Sequence, residues 1–380
     1  MEDIIFPFIK FDTPYLQQLL SDLKRQCINP NDNRFERKFV IGGVQHTFGL
    51  GGLHSVNKPE IFEPEDDEIL EDADVASLYP SIIIEHKVYP PHLGDSFLKV
   101  YEKIRTDRLK AKHEGNKLVD KTLKLALNGL SGNLQSEFSW CYSPKTALTI
   151  RINGQLMLLM LLEKLDAIGV HIIQSNTDGV FYKAKISQVP AIQAAFEDWQ
   201  KTTLLKLEID HFERFYQFAI NDYLGVKDGW SNSHNPKLIK TKGLFIDEIT
   251  LGKGMAPMII PTALREYFVN GVSPEITVKG CNDILKFCTY QKVGKQFEVY
   301  YGPEKTRHIN RYYMSTNGRP LIKKDSVKGR SMALCADSPV TIYNTIDQRA
   351  IEDYKVNYRY YIKECYKIID QMICKMDSLF

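Results

Sequence analysis

"DADVASLYPSIIIEHKVYP", residues 72–90, runs from a carboxylate through a short turn into an apolar stretch. A core strand has no need of Asp74, and an ordinary surface turn has no use for Ile82, Ile83 and Ile84. A strand over 74–78 that delivers an acid to its end, followed by a helix from Pro80, accounts for both. Proline suits the first helical position because its missing N–H costs nothing there. Backbone N–H groups of such a turn, backed by a helix N-terminus, form a concave anion site beside the acid.

Working outward, residues 38–55 (KFVIGGVQHTFGLGGLHS) read as short strands punctuated by glycine pairs. PYLQQLLSDLKRQC (14–27) reads as a helix, and NPNDNR (29–34) as a loop. Residues 97–114 and 117–131 predict an αα-hairpin joined near Gly115 and Asn116. Ser143-Pro144 opens a long helix ending at Gly169, with an apolar face drawn from Ile150, Leu156 and Leu159. VHIIQSNTDGVFYKAK (170–185) is two strands around an NTDG turn, followed by a helix over 189–203 and a strand in LEIDHFERFYQFAI. From about 245 the composition reads as helical, basic and tyrosine-rich.

Asp178 sits in that hairpin turn. If its strands neighbour the strand of Asp74, the two carboxylates converge and need a cation between them. Either acid alone is equally a turn or cap residue. Two hard oxygen ligands with open coordination suit Mg²⁺. Two such ions about 3.5–4 Å apart can activate an attacking hydroxyl and hold a leaving oxygen in phosphoryl transfer. On the hairpin, Arg108 and Lys112 share one helical face, and Lys124, Asn128 and Ser131 another. Facing the acids, these cations would neutralise a triphosphate. Solvated, they are merely a lysine-rich helix pair. Gly129 and Gly132 cost about 1 kcal/mol each against alanine in a helix, which makes sense if a flat nascent base pair lies against bare backbone. Tyr79, projecting from the turn, could pack under a sugar and clash with a 2′-hydroxyl, or serve as an ordinary core aromatic.

Charge is segregated although the net value is only +2. Residues 63–74 carry eight acids and no base, and residues 305–330 carry eight Lys or Arg against one acid, Asp325. Such segregation suggests a polyanion on one face and bound cations on another; each run alone is equally a solvated surface. Seven cysteines without a CxxC pair argue against a structural zinc or iron–sulfur site and for reduced thiols, hence a cytoplasmic setting. The start, MEDIIFPFIKFD, has no basic leader, and LMLLMLL (156–162) is far short of the roughly 20 residues that span a bilayer. No membrane partner is expected.

DVASLYPSI (74–82) resembles motif A of the family B DNA polymerases, D-x-x-S-L-Y-P-S-I. KLALNGLSG (124–132) resembles motif B, K-x3-N-S-x-Y-G, keeping Lys124, Asn128 and Gly132 but carrying Gly129 for serine and Ser131 for tyrosine. SNTDGVFYK (175–183) resembles motif C, Y-G-D-T-D-S, keeping Thr177 and Asp178. Asn176 stands where the family has its first aspartate, and Gly179 where it has serine. The wording of NTDG and FGLGGLH is similar to phage members.

The resemblance implies an α+β, right-hand polymerase architecture. An antiparallel-sheet palm (36–96 and 134–244) follows an N-terminal segment (1–35), with helical-hairpin fingers (97–133) and a helical thumb (245–380). It implies DNA synthesis from dNTPs on primer-template DNA, with two Mg²⁺ ions (Mn²⁺ as substitute) held by Asp74, Asp178 and the carbonyl of Val75. Ser77, Leu78, Tyr79, Arg108, Lys112, Lys124 and Asn128 would bind the nucleotide, with Tyr79 as sugar gate. Gly51, Gly52, Gly129, Gly132 and Thr177 would face the DNA. FAINDYLGVK (218–227) resembles the family's K-x-Y element with Asn221 for lysine, and KTKG (240–243) the basic step after it. Tyr223, Lys240 and Lys242 would therefore hold the primer strand, while Arg307, Arg311, Lys323 and Lys324 would grip the duplex. No D-x-E exonuclease motif precedes motif A, so accessory proteins or a separate exonuclease are expected partners. A polymerase relic that binds DNA without synthesis, an RNA-making polymerase, and a fragment needing a missing domain are the rival readings.

Overall fold

Helix α1 (Pro14–Arg25) buries Leu16, Leu19, Leu20 and Leu23, the i, i+3, i+4, i+7 stripe of an amphipathic helix. Its N-terminus is held from a distance. The carboxylate of buried Glu163 accepts hydrogen bonds from the backbone N–H of Thr13 (2.8 Å) and the hydroxyl of Thr13 (2.7 Å). The computed structural model describes residues 1–29, 34–247, 256–325 and 327–373. Most of the expected loop at 29–34 and parts of the expected thumb therefore lie outside the described residues. The chain divides into two compact units, 1–58 with 62–214 and 227–234, and 59–61 with 215–226 and 235–380.

In the first unit the glycine-punctuated stretch forms β1 (Glu36–Ile41), β2 (Val44–Gly49) and β3 (Leu53–Ser55). The short β4 (Glu60–Phe62), whose first two residues belong to the second unit, precedes β5 (Glu68–Val75) and α2 (Leu78–Glu85). The expected αα-hairpin is α3 (Asp95–His113) and α4 (Lys117–Asn133). Then come α5 (Pro144–Ile168), β6 (His171–Asn176), β7 (Gly179–Lys185), α6 (Val189–Thr203) and β8 (Leu207–Ala219), the last of which enters the second unit at Phe215. The antiparallel order β1-β2-β3-β6-β7-β5-β8 brings the strand of Asp74 between β7 and β8. One sheet face is packed against α5, which is buried all round rather than on one face. Residues Leu156 to Leu162 have almost no contact with solvent, as a helix apolar on every side requires. Trp199 of α6 donates its indole N–H to the Met157 carbonyl at 2.7 Å, tying α6 to α5.

Motif A differs from the sequence expectation in detail. The strand ends at Val75 and the helix begins at Leu78, so Pro80 is the third helical residue, not the first. Its missing N–H still belongs to the first turn, where no intrahelical acceptor exists.

In the second unit the end of β8 pairs with β9 (Asp222–Lys227), and β9 with β10 (Ile239–Lys242). The helix α7 (Trp230–Ser233) belongs to the first unit. The expectation of a helical region from 245 is corrected. Helices α8 (Ile259–Asn270), α9 (Pro274–Lys279), α10 (Ile284–Phe287) and α11 (Tyr358–Ile373) share it with two sheets. One holds β11 (Thr289–Lys292), β14 (Ile309–Arg319) and β17 (Val340–Ile342) in the order β11-β14-β17. The other holds β12 (Phe297–Tyr301), β13 (Glu304–Thr306), β15 (Leu321–Asp325) and β16 (Ser331–Ala333) in the order β13-β12-β15-β16. Alternating tyrosines and branched residues suit a pleated surface, and basic composition does not choose a helix. Among the described residues no helix is long and apolar enough to cross a membrane.

His46 of β2 is fully buried, stacked on Phe39 with ring centroids 5.7 Å apart. Its Nδ1 bonds the Val44 carbonyl at 2.8 Å, while Nε2 has no partner. Burial lowers its pKa from 6.5 to about 4, so folding favours the neutral ring. The unfolded chain then binds the extra proton below pH 6.5, and stability falls as pH drops from 6.5 towards 4. At about 1.4 kcal/mol per pH unit the total is about 3 kcal/mol. Urea unfolding of the natural chain and His46→Phe across that window should show the loss in the first and a flatter profile in the second.

Candidate functional site

The strand register sets the site. Across one face of the sheet, His54 of β3 pairs with Asn176 of β6, Asn176 with Gly179 of β7, Gly179 with Asp74 of β5, and Asp74 with Glu208 of β8. Directly cross-strand residues share a face. The next row, with Phe39, His46, Val180 and Ala73, faces the buried side. Asp178 follows from the turn: Val75 donates its N–H to the Asp178 carbonyl at 2.7 Å, fixing the hairpin tip beside the end of β5.

Both acids line one cavity of about 400 Å³. It is lined by Asp74, Val75, Thr177 and Asp178, by Ser77, Leu78 and Tyr79 at the start of α2, and by Arg108, Lys112, Lys124 and Asn128 of the helical hairpin. All eleven of these sequence-derived residues therefore meet in one place. Asn176 is not part of the lining.

The two turns that shape the cavity are strained. Ser77 has φ 52° and Thr177 φ 47°, left-handed values that cost a non-glycine residue about 1–3 kcal/mol and persist where surrounding structure enforces them. Ser77 is held by the Arg108 guanidinium, which donates to its hydroxyl at 2.9 Å. Thr177 is held by its N–H to the Leu53 carbonyl (2.8 Å) and by a 3.1 Å bond between its hydroxyl and His54 Nε2. Gly52, at φ 148°, packs there because a Cβ would lie 3.1 Å from both His54 and the Thr177 hydroxyl. Gly51 is exposed with open space around it.

Tyr79 lies over α5 at Gly154, where a Cβ would come within 3.7 Å of its ring and 3.3 Å of Ile82. Burial raises its phenol pKa, with Arg151 opposing and the Asp178 charge adding to the shift. The hydroxyl is thus neutral throughout the ordinary pH range. On the cation wall, Arg108 is buried and bonds Asp120 at 3.0 Å, while Lys112 meets Glu208 at 3.7 Å. Arg105 pairs with Glu85 at 3.2 Å. Gly129 and Gly132 are exposed on α4, with nothing within 4 Å of a Cβ at either.

Sequence reasoning missed Arg105, Leu109 and Glu208, all of which line the cavity. Helical spacing from Arg108 finds Arg105 and spacing from Lys112 finds Leu109; Glu208 depends on the β5–β8 register, which no local pattern announces. The acidic run at 63–74 is partly neutralised within the chain: Lys185 meets Asp67 at 2.9 Å, and Lys183 meets Glu68 at 2.9 Å.

The remaining residues expected to face DNA lie in the second unit. Lys242 pairs with Tyr223 across β10 and β9, its ammonium 5.6 Å from the ring centre, and Lys240 pairs with Gly225. Arg311 lies on β14, with Arg307 just before that strand. Lys323 and Lys324 lie on β15 of the other sheet. As strand neighbours they point to opposite faces, and Lys323 rests over the Phe297 ring at 5.1 Å.

Among the described residues no group of three or more His, Cys, Asp or Glu side chains is arranged to hold a metal. Two carboxylates and a main-chain carbonyl at an open cavity do fit Mg²⁺, which keeps several waters and takes one or two protein acids. They do not fit a closed transition-metal centre.

No family model and no curated protein matches the chain. Among solved structures it is similar to the family B DNA polymerase from the hyperthermophilic archaeon Pyrobaculum calidifontis, at 15% identity and a TM-score of 0.42, over 84% of this chain and 46% of that one. The likeness is distant and partial, and the chain spans less than half the length of that polymerase.

Gly179 is where the site is tightest, since a Cβ there would collide with Asp74 Oδ1. Gly179→Ala is expected to turn the Asp74 carboxylate aside and weaken Mn²⁺ binding by about 10–100-fold, the usual cost of disturbing a ligand's support. Calorimetry with Mn²⁺, alongside an unchanged circular dichroism spectrum, checks it; undiminished affinity would show that Asp74 holds no metal.

Proposed function

We propose that this chain carries the polymerase core of a family B DNA polymerase, joining a dNTP to a primer 3′-hydroxyl under template direction with release of pyrophosphate. The observation that supports it most is the convergence of Asp74 and Asp178 on a cavity whose facing wall carries Arg108, Lys112 and Lys124. Bound at Asp74, Asp178 and the Val75 carbonyl, two Mg²⁺ or Mn²⁺ ions would lower the pKa of the attacking hydroxyl and stabilise charge on the leaving pyrophosphate.

The chain's own residues do the positioning. The backbone at Ser77, Leu78 and Tyr79 presents the first-turn N–H groups of α2 to the triphosphate. Arg108, fixed by Asp120 and Ser77, is a preorganised cation that needs no reordering when phosphate arrives. Lys112 and Lys124 reach the phosphates as mobile point charges. Tyr79, neutral and wedged over Gly154, forms a rigid wall under the sugar. Asn128 and the bare backbone at Gly129 and Gly132 face the nascent base pair. In this reading 36–96 and 134–244 act as palm, 97–133 as fingers, and 245–380 as a DNA-gripping region. Asn176, neutral where the family has an acid, favours one second reading: a polymerase relic that binds DNA without synthesis.

Asp74→Ala and Asp178→Ala should each lower primer extension at least about 10²–10³-fold, as removal of an electrostatic anchor does, while DNA binding persists in gel-shift assays. Normal extension by either variant refutes the assignment, and absence of extension by the natural chain with Mg²⁺ and with Mn²⁺ favours the relic. Tyr79→Ala should relax discrimination against ribonucleotides by about 10–200-fold, the range for a lost pocket contact. The ratio of kcat/KM for rNTP and dNTP reads this, and an unchanged ratio removes Tyr79 from the gate.

A further inference from the structure

Helix α4 shows three faces, and on the third only Gly129 and Gly132 have an assigned role. Leu127 and Leu130 are buried, and Lys124, Asn128 and Ser131 line the nucleotide cavity. Opposite the buried face, at i, i+4, i+7, i+11 and i+14, stand Leu118, Thr122, Leu125, Gly129 and Gly132, all exposed. Leu118 is 78% and Leu125 75% exposed. Leucines aligned in one stripe mark a surface with a partner more often than scattered ones do.

The edge of the stripe nearest the cavity carries Lys117, Lys121 and Lys124, again at helical spacing. None of the three is paired with an acid among the described residues, although neighbouring lysines of α3 are: Lys103 with Asp107 and Lys110 with Glu114. The one acid of α4, Asp120, is bonded to Arg108. A row of uncompensated cations beside an apolar strip calls for a flexible polyanion with flat apolar groups. That is the chemistry of single-stranded nucleic acid. A partner helix fits less well, because a helical seam needs knobs at each core position, and Thr122, Gly129 and Gly132 supply none.

We infer that the stripe from Gly132 to Leu118 is the path of the unpaired template strand ahead of the nucleotide cavity. The inference rests on the polymerase reading above and extends it. Bases entering the site lie over Gly129 and Gly132. Those still waiting rest on Leu125 and Leu118, with Lys121 and Lys117 at their phosphates. The stripe is about 21 Å long, enough for several stacked nucleotides.

The test uses the full chain and two primer-templates with the same duplex, one with a single-nucleotide 5′ template overhang and one with a long overhang. Fluorescence anisotropy should show the natural chain binding the long overhang about tenfold more tightly, in line with one or two base faces covering the apolar surface of Leu118 and Leu125. The double variant L118D/L125D should lose that preference while still adding one nucleotide to the short-overhang substrate at the natural rate. K117A/K121A should lower the slope of log affinity against log salt for the long overhang by about 1.4, two phosphate contacts to a single strand. Equal binding of the two substrates by the natural chain overturns the inference, as does a preference that survives L118D/L125D. Both outcomes leave the polymerase reading intact. Failure of the natural chain to extend either primer instead removes the polymerase reading, and the overhang comparison is still read from binding alone.

Discussion

The pairing register of β5 against β7 and β8 is the constraint on which everything else depends. With Asp74 opposite Gly179 on one side and Glu208 on the other, a single row across the sheet reads His54, Asn176, Gly179, Asp74, Glu208. The adjacent row is apolar apart from a buried histidine and serines. Side chains alternate along a strand, so a slip of one residue would send Asp74 into the core and Ala73 to the cavity. Burying an unpaired carboxylate costs far more than any single contact here supplies. Burial of Ala73 and Val75 in the apolar core thus fixes the chemistry on the opposite face. The core and the site are two sides of one register.

The same row explains the two departures from motif C. In the family pattern an acid and a serine stand where this chain has Asn176 and Gly179. Gly179 lies beside Asp74, and its missing side chain leaves the space the Asp74 carboxylate occupies. Asn176 is on the far side of that gap, paired with His54 and outside the cavity lining. A charge at 176 would lie next to the imidazole side of the sheet rather than on the cavity floor. A neutral residue there alters the local field more than the proposed donor set of Asp74, Asp178 and the Val75 carbonyl.

Much of this was legible from sequence because the signals are local. Ser143-Pro144 and Gly169 bracket α5, Gly115-Asn116 separates the hairpin helices, and NTDG closes β6 and β7. Motif order then brought the acids together without any knowledge of the sheet. What failed depends on distant partners or on composition. Glu208 joins the site only through pairing with a strand more than a hundred residues earlier. Region 256–373 reads as helical if tyrosine and lysine are merely counted, whereas β14 buries Asn310, Tyr312, Tyr313, Met314 and Ser315 within a three-stranded sheet. Pro80 was misplaced by two residues because the turn is built by the left-handed Ser77, and no residue type announces that conformation there.

The cation wall shows how such a cavity can be stable before its anion arrives. Arg108, Lys112, Asp120 and Glu208 form internal pairs, and Arg105 and Glu85 another, so that most of the positive charge facing the cavity already has a counter-charge. Arg108 is nearly buried and doubly bonded, and its geometry therefore survives the exchange of partners. Lys112 and Glu208 are both more than half exposed and 3.7 Å apart, a pair of the kind worth at most about 1 kcal/mol. Under the proposed reading, an incoming triphosphate would displace Glu208 from Lys112 at little cost while Arg108 stays in place. Lys124, without an acidic partner among the described residues, lines the cavity from the other helix. One rigid cation, one in a weak exposed pair and one without a partner among the described residues would, under the proposed reading, give the hairpin a preformed grip on phosphate.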